Sequence, residues 1–234
     1  MGTTIRGGRA VVGMASLFLL GACGDKFVDF VNVVPGLVGT SLTVATASQN
    51  QTGIAGDTLA TPISVRVFDQ FGNPLAGALV NWTIISNGGS VPQASSLTDL
   101  NGDASTVWIL GNTAGADTLK ASLPSGATAL IAATGTAGAF ASLTTESGDG
   151  QTVAAGSMTA PLVVRAADAN GNAVAGQTVT WVYTGNGVVQ NGSSITDANG
   201  MAEIQFLTPV APAGPFTVAA TSGAASVTFS GNSQ

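Results

Sequence analysis

A stretch of this chain occurs twice, about 99 residues apart: Pro62-Ile63-Ser64-Val65-Arg66-Val67-Phe68-Asp69-Gln70-Phe71-Gly72-Asn73-Pro74-Leu75-Ala76-Gly77 returns as Pro161-Leu162-Val163-Val164-Arg165-Ala166-Ala167-Asp168-Ala169-Asn170-Gly171-Asn172-Ala173-Val174-Ala175-Gly176. Each copy runs on to a tryptophan, Trp82 and Trp181. A period this long exceeds the roughly 20 to 50 residues of solenoid repeats, so each copy is expected to close a core of its own. The 234 residues therefore read as a tandem array of two domains.

Within each copy the apolar period is 2. Ile63, Val65 and Val67 alternate with Ser64, Arg66 and Phe68, and Val80, Trp82 and Ile84 alternate with Asn81 and Thr83. The second copy repeats this with Leu162, Val164 and Ala166, then Val179, Trp181 and Tyr183. Such alternation marks half-buried strands. Further strands are expected at 103–110, 118–123 and 127–133, and at 201–207, 216–221 and 225–229. Four turns separate the strands, built on Asp69, Gly72 and Asn73; Asp99, Asn101 and Gly102; Asp168, Gly171 and Asn172; and Asp197, Asn199 and Gly200. Asp side chains cap such turns and Gly accepts the positive φ they need. Short strands at this spacing, with no helical period, predict an all-β fold of two tandem immunoglobulin-like β-sandwiches.

The pattern Asp-x-x-Gly-Asn-x-x-x-Gly before a Val-x-Trp strand, followed by Thr-Asp-x-Asn-Gly before an Ala-containing strand, resembles the bacterial immunoglobulin-like domains of the invasin and intimin adhesins. The positions that carry it are Asp69, Gly72, Asn73, Gly77, Val80, Thr98, Asp99, Asn101, Gly102 and Ala104, and again Asp168, Gly171, Asn172, Gly176, Val179, Thr196, Asp197, Asn199, Gly200 and Ala202. The resemblance spans 41–137 and 138–234. It implies extracytoplasmic modules that space or present other domains. It does not extend to a β-barrel anchor or a lectin-like domain, which sets this chain apart from the large adhesins.

The N-terminus reads as an address. Arg6 and Arg9 precede an apolar run from Ala10 to Leu20, and Leu20-Gly21-Ala22-Cys23 follows. A run of eleven residues falls short of the roughly 20 that span a bilayer but suits a signal-peptide core. The segment resembles a bacterial lipoprotein signal, with Leu20, Gly21 and Ala22 as the cleavage motif and Cys23 as the lipid acceptor. N-myristoylation from Gly2 is disfavoured, because that pattern asks for Ser or Thr where Arg6 stands. Cys23 is the only cysteine of the chain, so an internal disulfide is excluded and modification is the expected fate. The expected divisions are signal peptide 1–22, lipidated Cys and tether 23–40, first domain 41–137 and second domain 138–234. The tether is apolar, with Phe27, Val28, Phe30, Val31, Val33, Val34, Leu37 and Val38, and reads either as an extended segment packed on the first domain or lipid surface, or as a docking strand for a partner.

Composition narrows the function classes. Charged residues make up only 8% of the chain, against roughly 25% in ordinary soluble domains. With a signal removed, four basic residues would face twelve acidic ones; no basic groove suits a phosphate backbone, and nucleic acid is not an expected partner. The chain has no His, so the usual hydrolytic triads lack their base. Paired carboxylates that could act as acid and base are Asp99 with Asp103 and Glu146 with Asp149, but Asp99 falls in a repeated turn and Asp103 opens a strand, so turn capping is the expected role of the first pair. Asp99-Leu100-Asn101-Gly102-Asp103 spaces oxygens as a calcium loop would, but Gly stands fourth and Leu110 twelfth, against the EF-hand pattern. A looser calcium site of mixed oxygens at a domain junction stays as an option, and no other cofactor or metal is expected. Trp82 and Trp181 read as core before sugar platform, as does Trp108, whose match is Phe206. Arg66 and Arg165 are expected to face outward and pair with nearby carboxylates. The function expected from these residues is a non-catalytic, lipid-anchored cell-envelope protein, a spacer or adhesion module meeting a membrane and an envelope protein or surface glycan. A carbohydrate-binding envelope lipoprotein is the alternative.

Overall fold

The computed structural model describes residues 36–185 and 188–234. The cleavage motif, Cys23 and the tether up to Pro35 lie outside these residues. Among the described residues sixteen strands form four sheets, two in each repeat. In the first half, β1 (Gly39–Val44), β3 (Ile63–Asp69) and β6 (Asp103–Thr106) make a three-stranded sheet in the order β1-β3-β6. Against it stands a five-stranded sheet of β2 (Gln51–Ile54), β8 (Thr128–Thr136), β7 (Gly115–Ser122), β4 (Leu79–Ser86) and β5 (Ser95–Leu97), in that order.

The second half repeats the plan strand for strand. β9 (Phe140–Ser147), β11 (Leu162–Asp168) and β14 (Met201–Ile204) form one sheet. β10 (Gln151–Val153), β16 (Ala225–Ser233), β15 (Gly214–Ser222), β12 (Thr178–Gly185) and β13 (Val188–Ile195) form the other, in that order. Neighbours pair antiparallel except β2 with β8 and β10 with β16, which run parallel. In each domain the opening segment leaves the small sheet and joins the edge of the large one, so both sheets are stitched by the same stretch of chain.

Alternation decides what lies between the sheets. Ile63, Val65 and Val67 of β3 are buried, as are Val80 and Trp82 of β4, Leu119 and Ala121 of β7, and Ile131 and Ala133 of β8. A separate cluster of Leu162, Val164, Val179, Trp181, Tyr183, Phe206, Phe216, Val218 and Phe229 fills the second sandwich. Trp108 is buried, and each strand tryptophan donates its indole N–H to a serine hydroxyl on the next strand: Trp82 Nε1 to Ser96 Oγ at 2.9 Å and Trp181 Nε1 to Ser194 Oγ at 2.8 Å. Apolar burial of the ring and a partner for its one donor are thus both met.

Several elements differ from the sequence reading. The strands expected over 103–110 and 201–207 stop at Thr106 and Ile204, where the chain turns to lay Trp108 and Phe206 into the core. β1 begins at Gly39, and Val38 N already donates to Gln70 Oε1 at 3.1 Å. The short parallel strands β2 and β10 have no period of their own to announce them; they exist because their neighbours β8 and β16 offer an edge.

Candidate functional site at the junction of the domains

The four predicted turns share one construction. Asp69 Oδ1 accepts from Phe71 N and Asn73 N (2.8 and 2.9 Å), Asp168 Oδ1 from Asn170 N and Asn172 N (2.9 and 2.8 Å), Asp99 Oδ1 from Asn101 N and Asp103 N (2.8 and 2.9 Å), and Asp197 Oδ1 from Asn199 N and Met201 N (2.8 and 2.9 Å). Gly72 and Gly171 hold the fourth place of their turns at φ of 81° and 84°. Gly102 and Gly200 do so where a side chain has no room: a Cβ would stand 2.9 Å from Val67 O in the first and 2.5 Å from Ala166 O in the second. Their own carbonyls accept from Val67 N and Ala166 N at 2.9 and 2.8 Å, locking turn to strand. The carboxylates at 69 and 197 are held below the ordinary range chiefly by the backbone N–H of Asn73 and of Met201.

One of these turns does more than reverse the chain. Asp168 Oδ2 also accepts from Gly138 N at 2.8 Å, in the link between the domains, and from Asn172 Nδ2 at 3.0 Å. Asn172 then reaches across to the first domain, where its Oδ1 accepts from Ala114 N at 2.7 Å and its Nδ2 donates to Asn112 O at 2.9 Å. Asn170 Nδ2 donates to Ala55 O at 3.2 Å. Burial pushes the Asp168 carboxyl up, but the hydrogen bonds from Asn172, Gly138 and Asn170 outweigh it and bring its pKa down to about 2. The carboxylate is therefore a fixed negative anchor with four N–H groups aimed at it.

The receiving side is organised by another buried acid. Asp117 is fully buried in β7; its Oδ1 accepts from Gly111 N and its Oδ2 from Asn87 Nδ2, both at 3.2 Å. Asn87, at φ 62°, also donates to Thr113 O at 2.7 Å. Gly111 has no room for a side chain against the carbonyl of Asn87. Asp117 and Asn87 thus shape the loop whose Asn112 carbonyl and Ala114 N–H meet Asn172.

The equivalent groups at the two outer ends are different. In the first domain Phe71 stands where Asn170 does and is 74% exposed, and Asn73, the match of Asn172, is exposed. In the second domain Val210 replaces Asn112 and is 81% exposed, while Phe216 replaces Asp117 and stacks with Tyr183 at 5.3 Å between ring centroids. Junction chemistry is built once, where the two domains meet. The turn residues were legible from the repeat, but the bridging role of Asn170 and Asn172 was not; the one sequence signal is that Asn170 breaks the repeat at Phe71.

The remaining candidate residues have other partners. Arg66 makes a two-pronged pair with Asp103, Nε to Oδ1 at 2.8 Å and Nη2 to Oδ2 at 2.6 Å, and with both partly exposed the pair is screened by water and adds little to stability. Arg165 departs from the expectation of a carboxylate partner: it lies across from Met201 and donates to Gly171 O at 3.0 Å. Asp99 and Asp103, the oxygens of the calcium-like spacing, are occupied by backbone N–H groups and by Arg66. Among the described residues no three acidic, His or Cys side chains gather to hold a metal ion. Asp149 of the second carboxylate pair accepts from Gly150 N, Ser230 N and Ser230 Oγ, closing a turn.

Residues 42–137 and 142–231 each match the family described as bacterial Ig-like domain (group 1). The chain belongs to that family. Over 200 residues it is 30% identical to the inverse autotransporter adhesin YeeJ of Escherichia coli (strain K12), a match that takes in 77% of this chain and 8% of that protein's length. Solved structures similar to it include Yersinia pseudotuberculosis InvD, with 18% identity, TM-score 0.49 and coverage of 82% of this chain and 57% of that one. The Escherichia coli adhesin FdeC gives 20% identity, TM-score 0.46 and coverage of 82% and 63%. Invasin, a bacterial integrin-binding protein, gives 24% identity, TM-score 0.38 and coverage of 82% and 39%. The family match gives two tandem Ig-like copies, and the described strands give the all-β fold.

Proposed function

We propose that this protein is a lipid-anchored, extracytoplasmic adhesion or spacer module that works by position and contact, without catalysis. The observation that carries the reading is the clamp of Asn170 and Asn172 on Ala55, Asn112 and Ala114, with Asp168 holding Gly138 of the link. Direct hydrogen bonds across the junction, on top of a short link at Gly138, give a stiff connection, whereas a module meant to swing would leave its link free. The adhesin relatives support a surface role, and Leu20-Gly21-Ala22-Cys23 supports attachment through a lipid on Cys23. Both strand tryptophans are buried, which argues against the carbohydrate platform.

The test is a pair of substitutions with separate readouts. Cys23→Ser should move the protein from the membrane fraction to the soluble one; retention of that variant would overturn the anchor. Asn170→Ala with Asn172→Ala should broaden the distance distribution between spin labels placed on the two domains, and an unchanged distribution would overturn the stiff spacer.

A further inference from the structure

Each sandwich has free sheet edges, and among the described residues all but one are blunted. β2, β5, β6, β10 and β14 are three or four residues long. β1 has a register shift at Gly39/Ser41, and β9 carries two register shifts and Glu146. These are the devices by which proteins keep edges from pairing. β13 has none of them. It runs eight residues in unbroken register, Val188 opposite Gly185 through Ile195 opposite Thr178, with neither charge nor proline in Val188-Val189-Gln190-Asn191-Gly192-Ser193-Ser194-Ile195. Its match in the first domain contains Pro92, and its ladder covers only Ser95–Leu97 with one further bond at Ala94.

We infer that β13 is a pairing edge and that its occupant is the β13 strand of a second copy, antiparallel. In an antiparallel self-pair a charge is matched only if the same strand carries an opposite charge at the mirrored position, so a strand with no charge pairs with its own copy and leaves none unmatched. The alternation also suits it. In the first domain Trp82 N donates to Ala94 O, the place of Gly192, so by the antiparallel pattern Gly192 turns its polar groups to β12 while Asn191 and Ser193 turn theirs outward. A pairing centred on Gly192 puts Asn191 opposite the partner's Ser193, polar on polar. Asn191, Ser193 and Ile195 are exposed, so nothing among the described residues covers them.

The direction of β13 then sets what the pairing connects. The strand starts beside Gly185, at the end away from the junction, and leads into the Asp197 turn, whose Gly200 carbonyl accepts from Ala166 N beside the clamp. A two-fold axis normal to the sheet reverses that direction, so the first domains of the two copies point opposite ways. With N-terminal anchoring, which this step takes from the function proposed above, the pair bridges two facing envelopes.

The experiment uses full-length lipidated protein in vesicles of phosphatidylethanolamine and phosphatidylglycerol. Wild type should cross-link as a dimer in detergent and aggregate vesicles. Asn191→Lys with Ser193→Lys, and Asn191→Glu with Ser193→Glu, each place like charges opposite one another and should lose both signals while keeping the wild-type circular dichroism melt. Mixing the two variants should restore both. A wild type that does not cross-link, or variants that cross-link as well as it does, would overturn the strand pairing. Cross-linking without vesicle aggregation would leave the pairing and overturn the bridge, and protein that fails to stay on the vesicles points instead to a failed anchor.

Discussion

At the scale of single residues, the buried polar groups separate stabilising contacts from costly ones. Trp181 is fully enclosed, packs 5.9 Å from Phe229 and has its indole N–H satisfied, so Trp181→Ala should lower unfolding free energy by about 3–5 kcal/mol in denaturant titration. Tyr183 differs: its ring is buried between Phe206 and Phe216, and its hydroxyl has no hydrogen-bond partner among the described residues. An unpaired buried hydroxyl costs about 1–3 kcal/mol, so Tyr183→Phe should leave stability unchanged or raise it by up to about that much. Thermal melts of the two proteins check this. The sequence showed that Tyr183 faces inward, because it continues the alternation of Val179 and Trp181. It did not show the missing partner, which depends on what chain folds over the ring.

At the scale of elements, the Asp turns and the clamp govern pH and junction behaviour. The Asp168 carboxyl has its pKa lowered from the ordinary 3.8 to about 2, so the folded state binds its proton less readily than the unfolded state. Its contribution is therefore present above about pH 4 and is lost as pH falls through about 2. Unfolding followed across that window should show stability dropping, and Asp168→Asn should flatten part of the drop. Asn172→Ala deletes two bonds to the first domain, each worth about 0.5–1.5 kcal/mol. Its signature should be faster hydrogen exchange at Ala114 N, which loses its acceptor, with the Asn112 carbonyl left unpaired and both cores intact. If exchange at Ala114 does not change, the clamp does not hold in solution.

For the whole molecule, the two cores are separate clusters joined by a polar junction. Segments beginning near Ser41 and Ala139 should each melt cooperatively with a β-type spectrum, because each closes its own sandwich. The joined protein should melt with the second domain stabilised relative to its isolated form, since Asp168 then gains Gly138 in its native place and Asn172 its acceptors. Calorimetry of the three proteins reads this directly, and independent additive transitions would count against coupling.

What the sequence determined by itself was whatever is local or periodic. The two-residue alternation set the strands and their inward faces, Asp and Gly at fixed offsets set the four turns, and the repeat set two domains with one topology. What only the tertiary structure decided were the features that depend on neighbours distant in the chain. Asn172 and Asn73 sit in the same turn with the same local bonds, yet one is buried against Asn112 and Ala114 and the other is exposed. Likewise β13 and β5 occupy the same edge, and only the full register against β12 shows one long and regular and the other cut short near Pro92. A turn or a strand is fixed by its own few residues, but a contact across a junction or along an edge is fixed by which surfaces the fold brings within hydrogen-bond reach.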